Sequence, residues 1–380
     1  MGWQLAASAA ARKARKQGRD DPMEAFLQVH DDKIPTRDSL GLAWLRQVAP
    51  QFDPQSVAVS PIGTGQLAET YRLAFEGDAA RDGEPRSVVC KIASSDPSSR
   101  EIAGSWSLYQ REVRFYRELA ATALVDVPGV YATGLADDGS FFILMEDVQG
   151  AKPGNQLTGM SVEDARRAML EAARLHASFW GRAEEPSFAW LETGRIAQAF
   201  YPAEVFRQMW PGFRERYMDM LSPDHVATCD DFAEFYDGYS APLDRPRCVV
   251  HNDFRADNML FAPDRLAVLD WQSVALGFNA LDVAYVIGGG FDPEQRRAVE
   301  NSLLDTYHDE LLARGVTGYG KQDLARDYRH FTFAGIVVSV CAAMLVKRTE
   351  RGDRMFLTML DRHVRHVRDC NGVELLRERA

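Results

Sequence analysis

Cysteine is scarce in this sequence: five residues in 380, at positions 90, 229, 248, 341 and 370, with no two forming a C-x-x-C pair. An odd, scattered set excludes a disulfide framework and predicts a reduced, cytoplasmic protein. Long apolar runs are also missing. The longest near-apolar stretch, FAGIVVSVCAAMLV at 333–346, has 14 residues, against the roughly 20 that a helix needs to cross a bilayer. It reads as a buried core helix, and no membrane span is predicted. Positive charge is in deficit, with 44 Lys and Arg against 55 Asp and Glu and a net charge of −11. That balance excludes nucleic acid as a partner, because binding it takes clustered cations that displace counterions. A polyanionic ligand must instead be held locally, by a few cations, a metal and backbone amides. No internal repeat is present, and the N-terminal basic cluster follows its apolar part, the reverse of a secretory signal.

What is there falls into three parts. Residues 1–24 form a basic tail. Residues 25–149 read as a small, mostly antiparallel α+β lobe. Its LGLAWLRQVAP (40–50) has helical spacing, and VAVSPIG, ETYRLAF, RSVVCKI and SFFILMEDV alternate as strands. Turn signals such as Asp82-Gly83 separate them, and EIAGSWSLYQREVRFYRELA (101–120) reads as one helix between the third and fourth strands. Glycine and proline at 150, 153, 154 and 159 mark a linker. Residues 150–380 are then largely helical, beginning with Ser161 as N-cap and Asp164 at the capping-box position. A pair of short strands within 247–271 interrupts the helices. The expectation is a bilobal α+β enzyme with a cleft.

The chemistry concentrates in VVHNDFRADNMLF (249–261) and LAVLDWQ (266–272). Each begins as an apolar, strand-like run and then releases carboxylates or amides. Moving a γ-phosphoryl group requires positioning, a metal bridging phosphate oxygens, cationic help and a carboxylate that orients the attacking hydroxyl. Mg²⁺ takes oxygen ligands, and Asn258 and Asp270 offer two. Asp253 can face an acceptor hydroxyl, and Arg255 can offset charge on the transferring phosphate.

These residues carry a resemblance. HNDFRADN followed by LDWQ resembles the H-x-D-x-x-x-x-N and downstream Asp of the aminoglycoside phosphotransferase and choline kinase superfamily. ALDVAYVI, LLDTYHDELLARGV, ILMEDV and ARLHASFW extend it over roughly residues 40–370, nearest to the ecdysteroid-kinase-like branch. The resemblance implies a protein-kinase-like fold and transfer of phosphate from ATP, with Mg²⁺, to a small-molecule hydroxyl. It makes Asp253 the catalytic base, Asn258 and Asp270 the Mg²⁺ ligands, and Asp282 the brace of the catalytic loop. His251 bonds loop backbone, and Lys91 in VVCKI matches the ATP-phosphate lysine, with Glu112 as the better ion-pair partner than Glu118. Gly63, Gly65 and Gln66 lie in the turn expected to cover the phosphates, and backbone groups of Glu146 and Val148 are placed against adenine. Residues 25–149 then become the nucleotide-binding lobe, and 150–380 hold the catalytic loop and acceptor site. Asn252 stands where the family usually has glycine; asparagine is the side chain that best tolerates positive φ. DWQ replaces the DFG of protein kinases and no APE follows, which points away from protein substrates.

Other features read blandly. His363, His366 and Cys370 have metal-like spacing but sit among arginines, which suggests a solvated helix. GGGF (288–291) reads as a helix stop and His176 as a satisfied core histidine. Residues 179–240 hold 14 aromatics, and 181–245 carry 12 acids against 6 arginines. Most of the aromatics pack helices, yet such a wall suits an apolar or cationic acceptor. An aminoglycoside- or choline-type kinase is the nearest alternative, a catalytically silent nucleotide-binding module is the alternative of another class, and a monomer is favoured.

Overall fold

A computed structural model describes residues 27–63, 65, 67–77, 85–192, 201–241 and 243–379. The basic tail, Gln66 and the Asp82-Gly83 turn lie outside the described residues. Two compact units emerge. The first comprises residues up to Ala123, Val127–Gly150 and Asp270–Gln272; the second comprises Leu124–Asp126, Ala151–Leu269 and Ser273–Ala380.

The first unit is built on a six-stranded sheet. Its strands are β1 (Gln28–Val29), β2 (Ser56–Ile62), β3 (Ala68–Glu76), β4 (Ser87–Ala93), β5 (Val130–Leu135) and β6 (Phe141–Glu146), in the order β1-β5-β6-β4-β3-β2. All neighbours are antiparallel except β1 and β5. Helix α1 (Leu42–Val48) lays Trp44, Leu45 and Val48 on one face of this sheet, against Leu73, Val88, Cys90, Ile92 and Leu144. Side chains alternate across a strand, so with Cys90 and Ile92 in that core, Lys91 is delivered to the opposite face. The helix expected over 101–120 is divided. Ser107 adopts a left-handed φ of 55°, which ends α2 (Pro97–Ser105) and restarts the chain as α3 (Leu108–Arg114), followed by a π-type turn at Phe115–Leu119.

In the second unit the glycine–proline stretch after 150 is not an open linker. Strand β7 (Lys152–Pro153) pairs with β9 (Met259–Phe261), and Gly154 donates to Met259 O. A Cβ on Gly154 would come within 2.1 Å of the Ala256 carbonyl, so only glycine allows this approach. The strand reading of 247–271 is also revised. Strand β8 (Cys248–Val250) does not join the β9 hairpin; it pairs with β11 (Ala275–Gly277), whereas β9 pairs with β10 (Leu266–Val268). Length explains the miss: three-residue strands carry no periodicity that reveals their partners.

The helices are α4 (Val162–Ser178), α5 (Ala203–Arg216), α6 (Pro223–Ser240), α7 (Ala280–Gly290), α8 (Pro293–Ala313), α9 (Lys321–His330), α10 (Ala334–Leu345), α11 (Glu350–Asp369) and α12 (Gly372–Arg377). Ser161 caps α4, accepting a hydrogen bond from Asp164 N at 3.0 Å. Helix α10 lies within the apolar run 333–346; it is buried over most of its length and only half-buried in its last turn. By length and composition Lys321–Leu345 is apolar enough to cross a membrane, but 72% of its apolar window is buried inside the protein. The 3-10 turn Phe331–Phe333 interrupts it.

Candidate active site

Each unit contains a dense polar cluster. In the first unit Lys91 is central. Its Nζ lies 2.7 Å from Glu112 Oε2 and 2.7 Å from Asp270 Oδ1. Glu112 comes from α3 and is buried; Glu118 is half-exposed and pairs with Arg114 instead. Asp270 adopts a left-handed φ of 63°. Trp271 stacks on Phe115 with centroids 3.7 Å apart, and its backbone donates to Glu112. Burial opposes the charge on Lys91, but Asp270 and then Glu112 outweigh it and hold the ammonium well above the ordinary lysine range. Burial pushes the Glu112 carboxyl upward, while Lys91 pulls the other way. The result is a buried ammonium flanked by two carboxylates.

Gly63, Gly65, Glu146 and Val148, the other described residues expected around a nucleotide, belong to the same unit. Gly63 and Gly65 are exposed, and Gly63 has a φ of 76°. Glu146 N donates to Gly129 O at 2.7 Å and its carboxylate accepts from Gly129 N, so its backbone N–H is already engaged. Val148 is buried.

The second unit holds the catalytic-loop residues, and their order follows from Asp282. This carboxylate, fully buried on the first turn of α7, accepts from His251 N at 2.7 Å and Asn252 N at 2.8 Å. His176 Nε2 lies 3.1 Å from it, and His176 Nδ1 is 2.8 Å from the Tyr307 hydroxyl. His176 is therefore a satisfied core histidine, but one built into the loop's support. His251 accepts from Asp253 N through Nδ1, which leaves Nε2 to donate to Leu269 O at 2.8 Å. Asn252 has a φ of 64°, the left-handed conformation for which asparagine substitutes best for glycine.

Asp253 is consequently held from several sides. Its Oδ1 accepts from Arg255 Nε and from the Tyr285 hydroxyl, each at 3.0 Å, and its Oδ2 accepts from Asn258 Nδ2 at 2.8 Å. Asn258 Nδ2 also donates to Asp253 O, so its carbonyl oxygen is the atom it offers to a hard cation. Leu269 N donates to Asn258 O, and Asp270 is the next residue in the chain. Arg255 is not aimed outward as a charge for phosphate. Its guanidinium is clamped between Asp253 and Asp257, the latter at 3.1 Å. Burial opposes its charge, but Asp253 first among its neighbours holds it firmly protonated.

Three supporting residues escaped the sequence reading of the site: Tyr285, Asp257 and Gln156. Tyr285 follows Asp282 by three positions, which puts both on one face of α7. Asp257 accepts from Gln156 N at 2.7 Å and from Arg351 at 3.3 Å, contacts spanning up to 101 residues that no local pattern reveals. Beside the loop, Tyr201, Tyr239, Asn252, Leu281, Tyr285 and Val337 line a small pocket, and none of the described residues that line it is charged.

Comparison with known proteins adds the family. The chain is 26% identical over 245 residues to acyl-CoA dehydrogenase family member 11 of Gallus gallus, a match covering 58% of this chain and 30% of that protein. It is 49% identical over 51 residues to acyl-CoA dehydrogenase family member 10 of Mus musculus, covering 12% of this chain and 5% of that one. The chain thus spans less than a third of the length of these curated relatives. Choline kinase from Cryptosporidium parvum superposes with a TM-score of 0.55 at 11% identity, over 89% of this chain and 98% of that one. This likeness shows the kinase-like α+β fold that the sequence predicts. The model of the phosphotransferase enzyme family matches residues 58–325, well over half of the chain, and with the motifs above it shows that the protein belongs to that family.

Proposed function

We propose that the protein transfers the γ-phosphoryl group of ATP, with Mg²⁺, to the hydroxyl of a small, largely apolar acceptor. The observation that carries this reading is Asp253, fixed by Arg255, Tyr285 and Asn258 beside a pocket whose described lining is uncharged. Asp253 orients the acceptor hydroxyl and takes up its proton as the new P–O bond forms. In a loose transition state orientation of the hydroxyl matters more than its early deprotonation, which suits a carboxylate held from several sides. Lys91 binds phosphate oxygens, with Glu112 keeping its ammonium in place. Asn258 and Asp270 fit a hard cation through their oxygens, and Mg²⁺ when bound offsets charge on the phosphates.

An apolar acceptor accords with the ecdysteroid-kinase-like motifs. The acyl-CoA dehydrogenase family names add hydroxylated acyl thioesters to the classes worth assaying, although the matched part is under a third of those proteins.

The test is a screen reading ADP release with steroid alcohols, hydroxyacyl thioesters, choline and aminoglycosides, run beside calorimetry of Mg-ATP. We expect turnover with an uncharged or thioester alcohol. Nucleotide affinity should fall more than about tenfold in Asp270→Ala, as when a buried charged contact is removed. Mg-ATP binding without transfer to any class would replace this reading with the silent nucleotide-binding module. Affinity unchanged both by Asp270→Ala and by chelation would remove the metal assignment.

A further inference from the structure

Helix α11 was expected to be solvated around His363 and His366, but both are fully buried. Neither ring nitrogen of His366 has a hydrogen-bond partner among the described residues. The interior is shaped around this ring: a Cβ on Gly288 would come within 2.6 Å of His366 Nδ1. The glycines of GGGF are thus part of helix α7, and Gly288 makes room for an imidazole. A buried imidazole with unmade hydrogen bonds costs about 1–3 kcal/mol per lost partner, and an unseen water or ion is a usual reason for its persistence.

Two further groups converge on His366. Glu300 on α8 and Cys370 at the end of α11 place a carboxylate oxygen and the sulfur so that these atoms and a His366 nitrogen all lie within 4.8 Å of one another. Glu300 is held by buried Arg296 and by the Tyr328 hydroxyl at 3.2 Å, as a metal-ligating carboxylate is usually supported by outer hydrogen bonds. Arg296 also pairs with Asp369, as does Arg297 at 2.8 Å. Glu300 and a Cys370 thiolate supply the two anionic ligands of the set.

We propose that Glu300, His366 and Cys370 form a Zn²⁺ site that ties α8 to the C-terminal end of α11. The mixed sulfur, nitrogen and oxygen set suits zinc; Mg²⁺, which takes oxygen ligands, does not fit it. Three protein ligands leave the fourth tetrahedral position to water. Binding releases the Cys370 proton to solvent as the sulfur–zinc bond forms, with no redox change.

The test uses the full chain, purified with zinc present and then reloaded with Co²⁺, whose thiolate charge-transfer band reports sulfur ligation. We expect one zinc per chain, the cobalt band in wild type and in Asp270→Ala, and its loss in Cys370→Ser. His366→Gln and Glu300→Gln should weaken Co²⁺ binding by more than about tenfold. In wild type, zinc should protect Cys370 from alkylation, a readout that does not depend on any variant folding. No cobalt band in wild type, an undiminished band in Cys370→Ser or His366→Gln, or equal alkylation of Cys370 with and without zinc would overturn the proposal.

Discussion

The Lys91 cluster and the Asp253 loop are both buried and polar, yet they are organised in opposite ways. Around Lys91 two carboxylates from distant parts of the chain hold the ammonium. Around Asp253 each charge is tied into a net of backbone amides, hydroxyls and imidazoles that extends back to Asp282, His176 and Tyr307. Charge pairing in the first suits the proposed binding of phosphate by Lys91, and the many hydrogen bonds in the second suit the proposed orientation of a hydroxyl by Asp253.

The comparison is broken most decisively by exchanging the defects. Asp253→Asn keeps size and removes charge and proton acceptance, so we expect phosphotransfer to fall by roughly 10² to 10⁴ with near-normal Mg-ATP affinity. Lys91→Met should do the reverse first, lowering nucleotide affinity about 10- to 100-fold as a charged hydrogen bond is lost. Single-turnover kinetics beside calorimetry separate the two. Equal losses of affinity in both variants would abolish the distinction drawn here.

Asp282→Ala probes the rigid side alone. It strands the amides of His251 and Asn252 in a buried setting, and we expect about 3–5 kcal/mol of lost stability, as for breaking a buried charged network. Urea unfolding measures it. A loss below about 1 kcal/mol would show that the loop does not depend on this brace.

Acid should also act on the second unit. His330 is buried with Nε2 on the Tyr239 carbonyl at 2.9 Å, and burial pushes its pKa down to about 4. An unfolded histidine titrates near 6.5, so between these values the unfolded chain binds the extra proton. Stability is therefore complete above about pH 6.5 and is lost as the pH falls toward 4, by roughly 3 kcal/mol. His330→Gln should flatten that part of the stability–pH curve, and an unchanged slope would assign the acid sensitivity elsewhere. The smallest effect should come from Asn252→Gly. Because Asn252 already occupies the left-handed region, transfer should change by less than about threefold, the equivalent of under 1 kcal/mol. Transfer appearing only in the glycine variant would instead identify the native chain as silent.

What the sequence alone determined is the local chemistry. Asp253, Asn258, Asp270, Asp282 and Lys91 were legible through the motifs that carry the family resemblance, and the capped helix at Ser161 because a cap depends on neighbours within a few residues. Tertiary structure decided the remainder. Arg255 became a clamp because Asp257 is itself fixed by Gln156 and Arg351, about 100 residues away on either side. His366 became a buried group without a hydrogen-bond partner among the described residues because Gly288, 78 positions earlier, vacates the space for it. Sequence pattern reports which face of an element is apolar; it does not report which distant backbone comes close enough to bury a charge or an imidazole, because that depends on packing between elements that share no local signal.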